Sequence, residues 1–176
     1  MGWLSKILGI TPKEKRKSLE LKGNFAWEVS APKDYARIVE SLDIILPTEA
    51  VLYLEGSPDD DVKQFLESSN AKQTQQKMAL NILEFEISTK SDCYHLPATL
   101  ENIKKLANFF DNKAVPQICD HLHAYDASGV IMLWYDMLDD PIQFSETVTK
   151  ETVKEFCDAT ANAYKEHKEQ ITIYIY

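Results

Sequence analysis

The alternation of apolar and polar residues predicts a series of strands along the chain. In the segment "NFAWEVS" at 24–30, Phe25, Trp27 and Val29 alternate with small or polar residues, which is the period-two pattern of a strand with one buried face. The segment "AVLYLEG" is almost wholly apolar and predicts a buried strand. By these criteria, strands are predicted at 24–30, 50–56, 81–88, 92–96, 142–148 and 171–176.

A second set of segments has the apolar spacing of amphipathic helices. The strongest start signals stand in "SPDDDVKQFLESS", where Ser57 is the expected N-cap, Pro58 fits the first helical position, and aspartates 59–61 lie at the positive end of the helix dipole. These aspartates lack the alternating spacing and the glycine of a calcium loop, so we interpret them as helix-starting residues. Helices are predicted at 31–46, 57–69, 97–110 and 149–168, and residues 70–79 are expected to form a loop or an exposed helical extension.

The order of these elements predicts one α+β domain over residues 23–176. Strands and helices alternate in the first half, which permits a βαβ unit, whereas strands follow one another in the second half, as in a meander. We therefore expect a mixed, mostly antiparallel sheet with about four α-helices packed mainly on one face.

Residues 1–22 are predicted to be a basic, amphipathic N-terminal tail that precedes this domain. The tail has six basic and two acidic side chains, a net charge of +4, and its apolar run is too short to span a bilayer. One hypothesis is weak attachment to an anionic membrane; the alternative is docking on the body of the protein or on a partner. The residues expected to touch a membrane are Trp3, Leu4, Ile7 and Leu8, which fall on one face of a short helix.

The rest of the chain is strongly acidic. Removing the tail's +4 from the net charge of −9 leaves −13 for residues 23–176. Such a body repels nucleic-acid phosphates, so we expect no nucleic acid as a partner, and it attracts basic proteins. The odd number and wide spacing of Cys93, Cys119 and Cys157 are typical of free thiols in a reducing cytoplasm. No phosphate-binding, dinucleotide-binding or catalytic-serine motif is present, and we expect no cofactor.

The segment "CDHLHAYDASGVIMLWYD" at 119–136 comes nearest to recognisable chemistry. Its sequence Asp-Ala-Ser-Gly at 126–129 predicts the turn of a β-hairpin. On the first strand of that hairpin, His121, His123 and Tyr125 project from one face, and side chains two residues apart start about 7 Å from one another. Two imidazoles at that spacing can share one metal ion.

A metal site of zinc or iron needs at least a third protein ligand, for which Asp136, Tyr135 and His95 are the candidates. The competing interpretations are a polar face that contacts a ligand and a purely structural face, because Leu122 and Ala124 alternate with the histidines as they do in a strand with one buried side.

Three functions remain open at this point. The missing catalytic motifs and the acidic body favour a non-enzymatic cytoplasmic binding protein, for example one with an immunity- or inhibitor-like role toward a basic protein partner. The alternatives are a small metal-dependent enzyme that uses His121 and His123, and a peripheral protein anchored by residues 1–22 to the inner face of a membrane. The residues expected to contact a ligand or partner are His121, His123, Tyr125, Trp134 and Asp136.

Overall fold

Eight strands form one antiparallel sheet in the computed structural model, which describes residues 18–21, 23–30, 33–76, 88–167 and 172–174. The strands are β2 (Ala26–Val29), β3 (Val51–Gly56), β4 (Lys72–Gln76), β5 (Ser88–Pro97), β6 (His121–Asp126), β7 (Gly129–Trp134), β8 (Ile142–Ser145) and β9 (Tyr164–His167). They lie in the order β4-β5-β3-β6-β7-β8-β2-β9, and β1 (Ser18–Glu20) pairs with β10 (Thr172–Tyr174) in a separate two-stranded sheet. The predicted α+β fold with a mostly antiparallel sheet is confirmed.

Helices cover one side of the large sheet, which we call the helix face. In the described ranges they are α1 (Tyr35–Glu40), α2 (Leu42–Ile45), α3 (Asp60–Ser68), α4 (Leu100–Asn112) and α5 (Lys150–Thr160), with α1 and α2 separated at Ser41, and a 3-10 turn spans Val115–Gln117. Four of the five begin at a side chain that accepts a hydrogen bond from a backbone N–H three residues on; these caps are Asp34, Asp59, Thr99 and Thr149, and only α2 begins without one. The predicted N-cap at Ser57 is wrong, because Asp59 takes that position and its carboxylate accepts the Val62 N–H at 3.1 Å.

The core between the helices and the sheet is almost wholly apolar. Leu52 and Leu54 of β3, Leu122 of β6 and Phe144 of β8 all point to the helix face and are at most 1% exposed. Within the described part of this core, the buried Trp27 indole N–H donates a hydrogen bond to the Val148 carbonyl at 2.9 Å. The hydrophobic effect therefore accounts for the stability of this core without a network of side-chain hydrogen bonds.

Two segments differ from their predicted conformation. Residues 72–76, expected to be a loop or helix, form the edge strand β4 beside β5. The helix predicted over 149–168 ends at Thr160, because Ala161 adopts the left-handed conformation (φ 56°) and the chain turns into β9, which pairs with β2. In both cases a strand partner distant in sequence prevails over the local preference.

The structure describes only the C-terminal end of the predicted N-terminal tail. Residues 1–17 lie outside the described residues, and so do all four predicted membrane-contact side chains. Ser18–Glu20, assigned to the tail, pairs with β10, and Leu21 is buried against the large sheet. Most of the strand predicted at 81–88 also lies outside the described residues. Within the described ranges, no helix has the length and apolar character needed to cross a membrane.

Candidate functional site

The strand that carries the two histidines is buried on both of its sides. Leu122 and Ala124 of β6 face the helices, and His121, His123 and Tyr125 face the opposite way. The side of the sheet that they line is here called the polar face. Its central members come from three adjacent strands and are Tyr53, Glu55, Cys93, His95, His121, His123 and Tyr125.

Antiparallel register brings these side chains together. Tyr53 of β3 lies opposite His123 of β6 on one side and His95 of β5 on the other, and Glu55 lies likewise between His121 and Cys93. The neighbouring rings of Tyr53 and His95 approach to 5.3 Å between centroids. Sequence reasoning missed Tyr53, Glu55 and Cys93, because the polar-face residues opposite them on β3, β5 and β6 are about 40 or more positions away in the sequence and no local pattern marks them.

Although it is polar, the centre of this face is shielded from solvent. Tyr53 is 0% exposed, His123 1% and Tyr125 5%. Leu21 and Leu133 pack against the same cluster. Because a polar group in such a place loses its hydration, it is stable there only when hydrogen-bonded.

A thiol, a phenol and a carboxylate form one hydrogen-bonded chain across strands β5 and β3. The Tyr53 hydroxyl donates to Glu55 Oε2 at 2.8 Å and lies 3.1 Å from Cys93 Sγ. Since the phenol gives its one proton to Glu55, the Cys93 thiol is the donor to the phenol oxygen. Burial, followed by the negative charge of Glu55, raises the pKa of Tyr53 far above its usual value, so this phenol keeps its proton at any physiological pH.

The two buried histidines each make a defined hydrogen bond. His123 Nδ1 accepts the backbone N–H of Trp134 at 3.1 Å, so the proton of the neutral ring is on Nε2. His95 Nδ1 lies 2.9 Å from the Tyr125 hydroxyl. Burial raises the pKa of Tyr125 to about 12.

Four rings form a continuous row from the buried centre to the surface. Tyr53 and His123 are parallel with centroids 5.6 Å apart, His123 and His121 follow at 6.3 Å, and His121 and Tyr135 at 4.3 Å with an interplanar angle of 13°. Tyr135 is 36% exposed, so it forms the outer end of the row.

The candidate third metal ligands do not complete a metal centre in this geometry. His95 shares the polar face but engages Tyr125, Asp136 accepts the Leu138 N–H at 3.1 Å, and Tyr135 stacks on His121. Throughout the described ranges, no group of three or more His, Cys, Asp or Glu side chains is placed to hold a metal ion. A metal role for His121 and His123 stays a prediction.

The five residues predicted to contact a ligand or partner fall in three different places. His121, His123 and Tyr125 lie on the polar face, whereas Trp134 is 0% exposed on the helix face, where its ring stacks on Tyr35 at 5.8 Å. Asp136 lies in the loop that follows β7. Of the five, His121 and Asp136 alone have a partly exposed side chain.

The loop at residues 135–140, called the acidic loop below, exposes two large apolar side chains. Leu138 is 54% exposed and Tyr135 36%. The loop is held from below by Met137, whose sulfur lies 3.5 Å from Cys119 Sγ and whose N–H donates to the Asp120 carbonyl at 3.1 Å. A buried anchor beneath exposed apolar side chains keeps them presented to solvent.

Acidic residues neighbour these two side chains in the loop. The loop contains Asp136, Asp139 and Asp140, and Asp120 is joined to it by the backbone. Residues 114–149 contain six acidic side chains and neither lysine nor arginine. Burial, and then the charges of Asp139 and Asp136, raise the pKa of Tyr35, whose ring stacks on Trp134. The run without basic residues was the available sequence signal for this surface.

None of the three cysteines forms a disulfide, and all three are buried. Burial raises the pKa of Cys157 to about 11 and raises that of Cys119 as well, so both stay protonated near neutral pH. These two thiols have the character of packing groups.

No family model matches the chain, and no curated protein and no solved structure matches it either.

Proposed function

We propose that this protein is a non-enzymatic, cytoplasmic binding protein that attaches to a basic protein partner through the acidic loop. The observation that carries the proposal is the pair of exposed apolar side chains, Tyr135 and Leu138, set among carboxylates. An aromatic and an aliphatic anchor inside a charged rim is the usual composition of a protein interface.

Electrostatics supports a basic partner. The loop and its neighbour Asp120 present four carboxylates within a segment that has no positive side chain, and the body outside residues 1–22 carries −13. Such a field speeds the encounter with a basic surface and disfavours acidic partners. An immunity- or inhibitor-like role, in which an acidic protein covers a basic site, is one form that this function takes.

Site-specific crosslinking tests the proposal directly. A photo-reactive residue at Leu138 is compared with one at Leu100, a leucine of nearly equal exposure (51%) on α4. We expect the probe at 138 to capture one defined, basic protein in the source cells and the probe at 100 to capture none. Capture of the same proteins at both positions, or of acidic proteins at 138, would contradict the proposal.

The captured partner is then purified and its affinity measured against salt. Replacing Asp120, Asp139 and Asp140 by Asn should weaken binding and flatten its salt dependence, because exposed charges are screened within about 10 Å at 0.1 M salt. The control is a variant with three other exposed acids neutralised, Glu49→Gln, Asp111→Asn and Glu155→Gln. An affinity that is independent of salt, or equal losses in both variants, would show that the acidic loop is not the interface.

A small enzyme using His121 and His123 is the second candidate function. It is favoured by the concentration of ionisable side chains on the polar face, since buried groups of this kind cluster at active sites. Elemental analysis of protein purified without added metal or a polyhistidine tag is the test. A stoichiometric metal that is lost in His121→Ala would favour the metal-enzyme hypothesis. A metal-free protein that still binds its partner would rule this hypothesis out.

A further inference from the structure

We propose that Tyr135 is an arginine-recognition site: the guanidinium of an arginine in the basic partner stacks on the outer face of this ring. The inference rests on the proposed binding function and names the side chain that the acidic loop selects. It makes Tyr135 the specificity residue and Leu138 a general apolar contact.

The orientation of the Tyr135 ring carries the inference. His121 covers one face of the ring at a centroid distance of 4.3 Å and an interplanar angle of 13°. Since His121 covers one face and the residue is still 36% exposed, the other face and the ring edge are the parts of the ring that a ligand can approach. An aromatic face that is open on one side and supported on the other is the geometry that a planar cation requires.

The Tyr135 ring also belongs to a longer stack of rings. His121 itself is parallel to His123, and His123 is parallel to Tyr53, so the Tyr135 ring ends a stacked row anchored in the buried polar face. A ring fixed in advance loses little conformational entropy when a ligand stacks on it, and this favours binding.

Carboxylates are available beside the ring for the N–H groups of a guanidinium. Asp136 follows Tyr135 directly, and one of its oxygens accepts the Leu138 N–H, which fixes the carboxylate in place. The exposed Asp139 lies in the same loop, and the exposed Asp120 is attached to it by the Met137 N–H. Arginine presents a flat fork that can stack and donate at the same time, whereas the lysine ammonium is a strongly hydrated point charge.

Two peptides of identical length and charge, one with arginine and one with lysine as its only cations, provide the probe. We expect the wild-type protein to bind the arginine peptide about two- to fivefold more tightly, which is the size of an exposed cation–π contact. Tyr135→Phe keeps the ring and should keep this preference. Tyr135→Leu removes the π face and should bind both peptides equally. Thermal unfolding of each variant confirms that it is folded.

The results separate this inference from the proposed function. Equal binding of both peptides by the wild type, weakened by neutralising Asp120, Asp139 and Asp140, would overturn the arginine site and leave the acidic interface standing. An arginine preference that survives Tyr135→Leu would also overturn it. Binding that none of these substitutions alters would overturn both.

Discussion

Strand β6 has two buried sides of opposite chemistry. Toward the helices it presents Leu122 and Ala124, both 0% exposed, and toward the other side it presents His123 and Tyr125, which are 1% and 5% exposed. The same contrast runs through β3, where Leu52 and Leu54 alternate with Tyr53 and Glu55. Both sides of the sheet are therefore shielded from solvent at these strands, although one side is apolar and the other carries ionisable side chains.

The contrast shows that burial does not reveal what stabilises a layer. The helix face gains free energy in proportion to the apolar area removed from water. On the polar face each satisfied hydrogen bond contributes about 1 kcal/mol, but a broken one leaves a buried group unpaired at a cost of about 1–3 kcal/mol.

This difference gives the polar face a role in register. A one-residue slip of β3 would place Tyr53 and Glu55 under the helices, away from Cys93 and His123. The hydrophobic effect alone tolerates many arrangements of leucines, whereas the hydrogen-bonded chain on the polar face tolerates one. We infer that the helix face supplies most of the stability and the polar face much of the specificity.

Truncation on the helix face should produce the largest effect. Phe144 is 0% exposed and meets Phe156 edge-on at 5.2 Å. Phe144→Ala should lower the free energy of unfolding by about 3–5 kcal/mol through lost burial and the cavity it leaves. Urea unfolding followed by circular dichroism measures the change. Gln143→Ala, one residue away on the polar face, is the control, and equal losses in the two variants would show that burial on the helix face does not dominate the stability of the fold.

Removing one hydroxyl from the polar face should cost less, yet more than its size suggests. Tyr53→Phe keeps the ring but leaves Glu55 Oε2 and Cys93 Sγ without the phenol, so the free energy of unfolding should fall by about 1–3 kcal/mol. Tyr94→Phe is the matched control, because Tyr94 is buried on the helix face of β5 and its hydroxyl has no hydrogen bond among the described residues. We expect little change there. Equal effects of both substitutions would mean that the Tyr53 hydrogen bonds contribute nothing to the free energy of unfolding.

The sequence predicts the strands of this sheet better than the burial of its polar side. Alternation marks β2 and β6 because period two is a local property. Alternation does not distinguish a polar face that is open to water from one that is buried, since both show polar residues at every other position. The pairing of Tyr53 with His123 spans 70 residues, and the exposure of Leu138 depends on how Met137 anchors its loop. Such facts arise from tertiary packing and leave no local pattern.

High pH should lower the stability of the fold, because a buried tyrosine of the polar face ionises less readily in the folded protein than in the unfolded chain. The phenols of the unfolded chain ionise near pH 10, whereas the buried Tyr125 holds its proton until about pH 12. Unfolding therefore releases a proton between these values, and stability falls as pH rises through them by about 1.4 kcal/mol per pH unit for this one residue.

Tyr125→Phe should accordingly show a shallower loss of stability between pH 10 and pH 12 than the wild type, measured by urea unfolding at a series of pH values. The loss of its hydrogen bond to His95 shifts the whole curve without changing this slope. Parallel curves for the two proteins above pH 10 would show that Tyr125 ionises as freely in the folded state as in the unfolded chain.

The smallest effect on stability is expected at the edge of the polar face, where its side chains are exposed to solvent. Lys165 of β9 pairs with Glu28 of β2 at 2.8 Å, and its side chain is 68% exposed. Solvent and ions screen such a pair, so Lys165→Gln should lower the free energy of unfolding by less than about 1 kcal/mol. The difference should shrink further at 1 M salt, where charges are screened within about 3 Å, whereas the effect of Tyr53→Phe should persist. A large loss of unfolding free energy in Lys165→Gln that does not depend on salt would mean that charge pairs stabilise the polar face as far as its edge. The buried hydrogen bonds at its centre would then not be its main difference from the helix face.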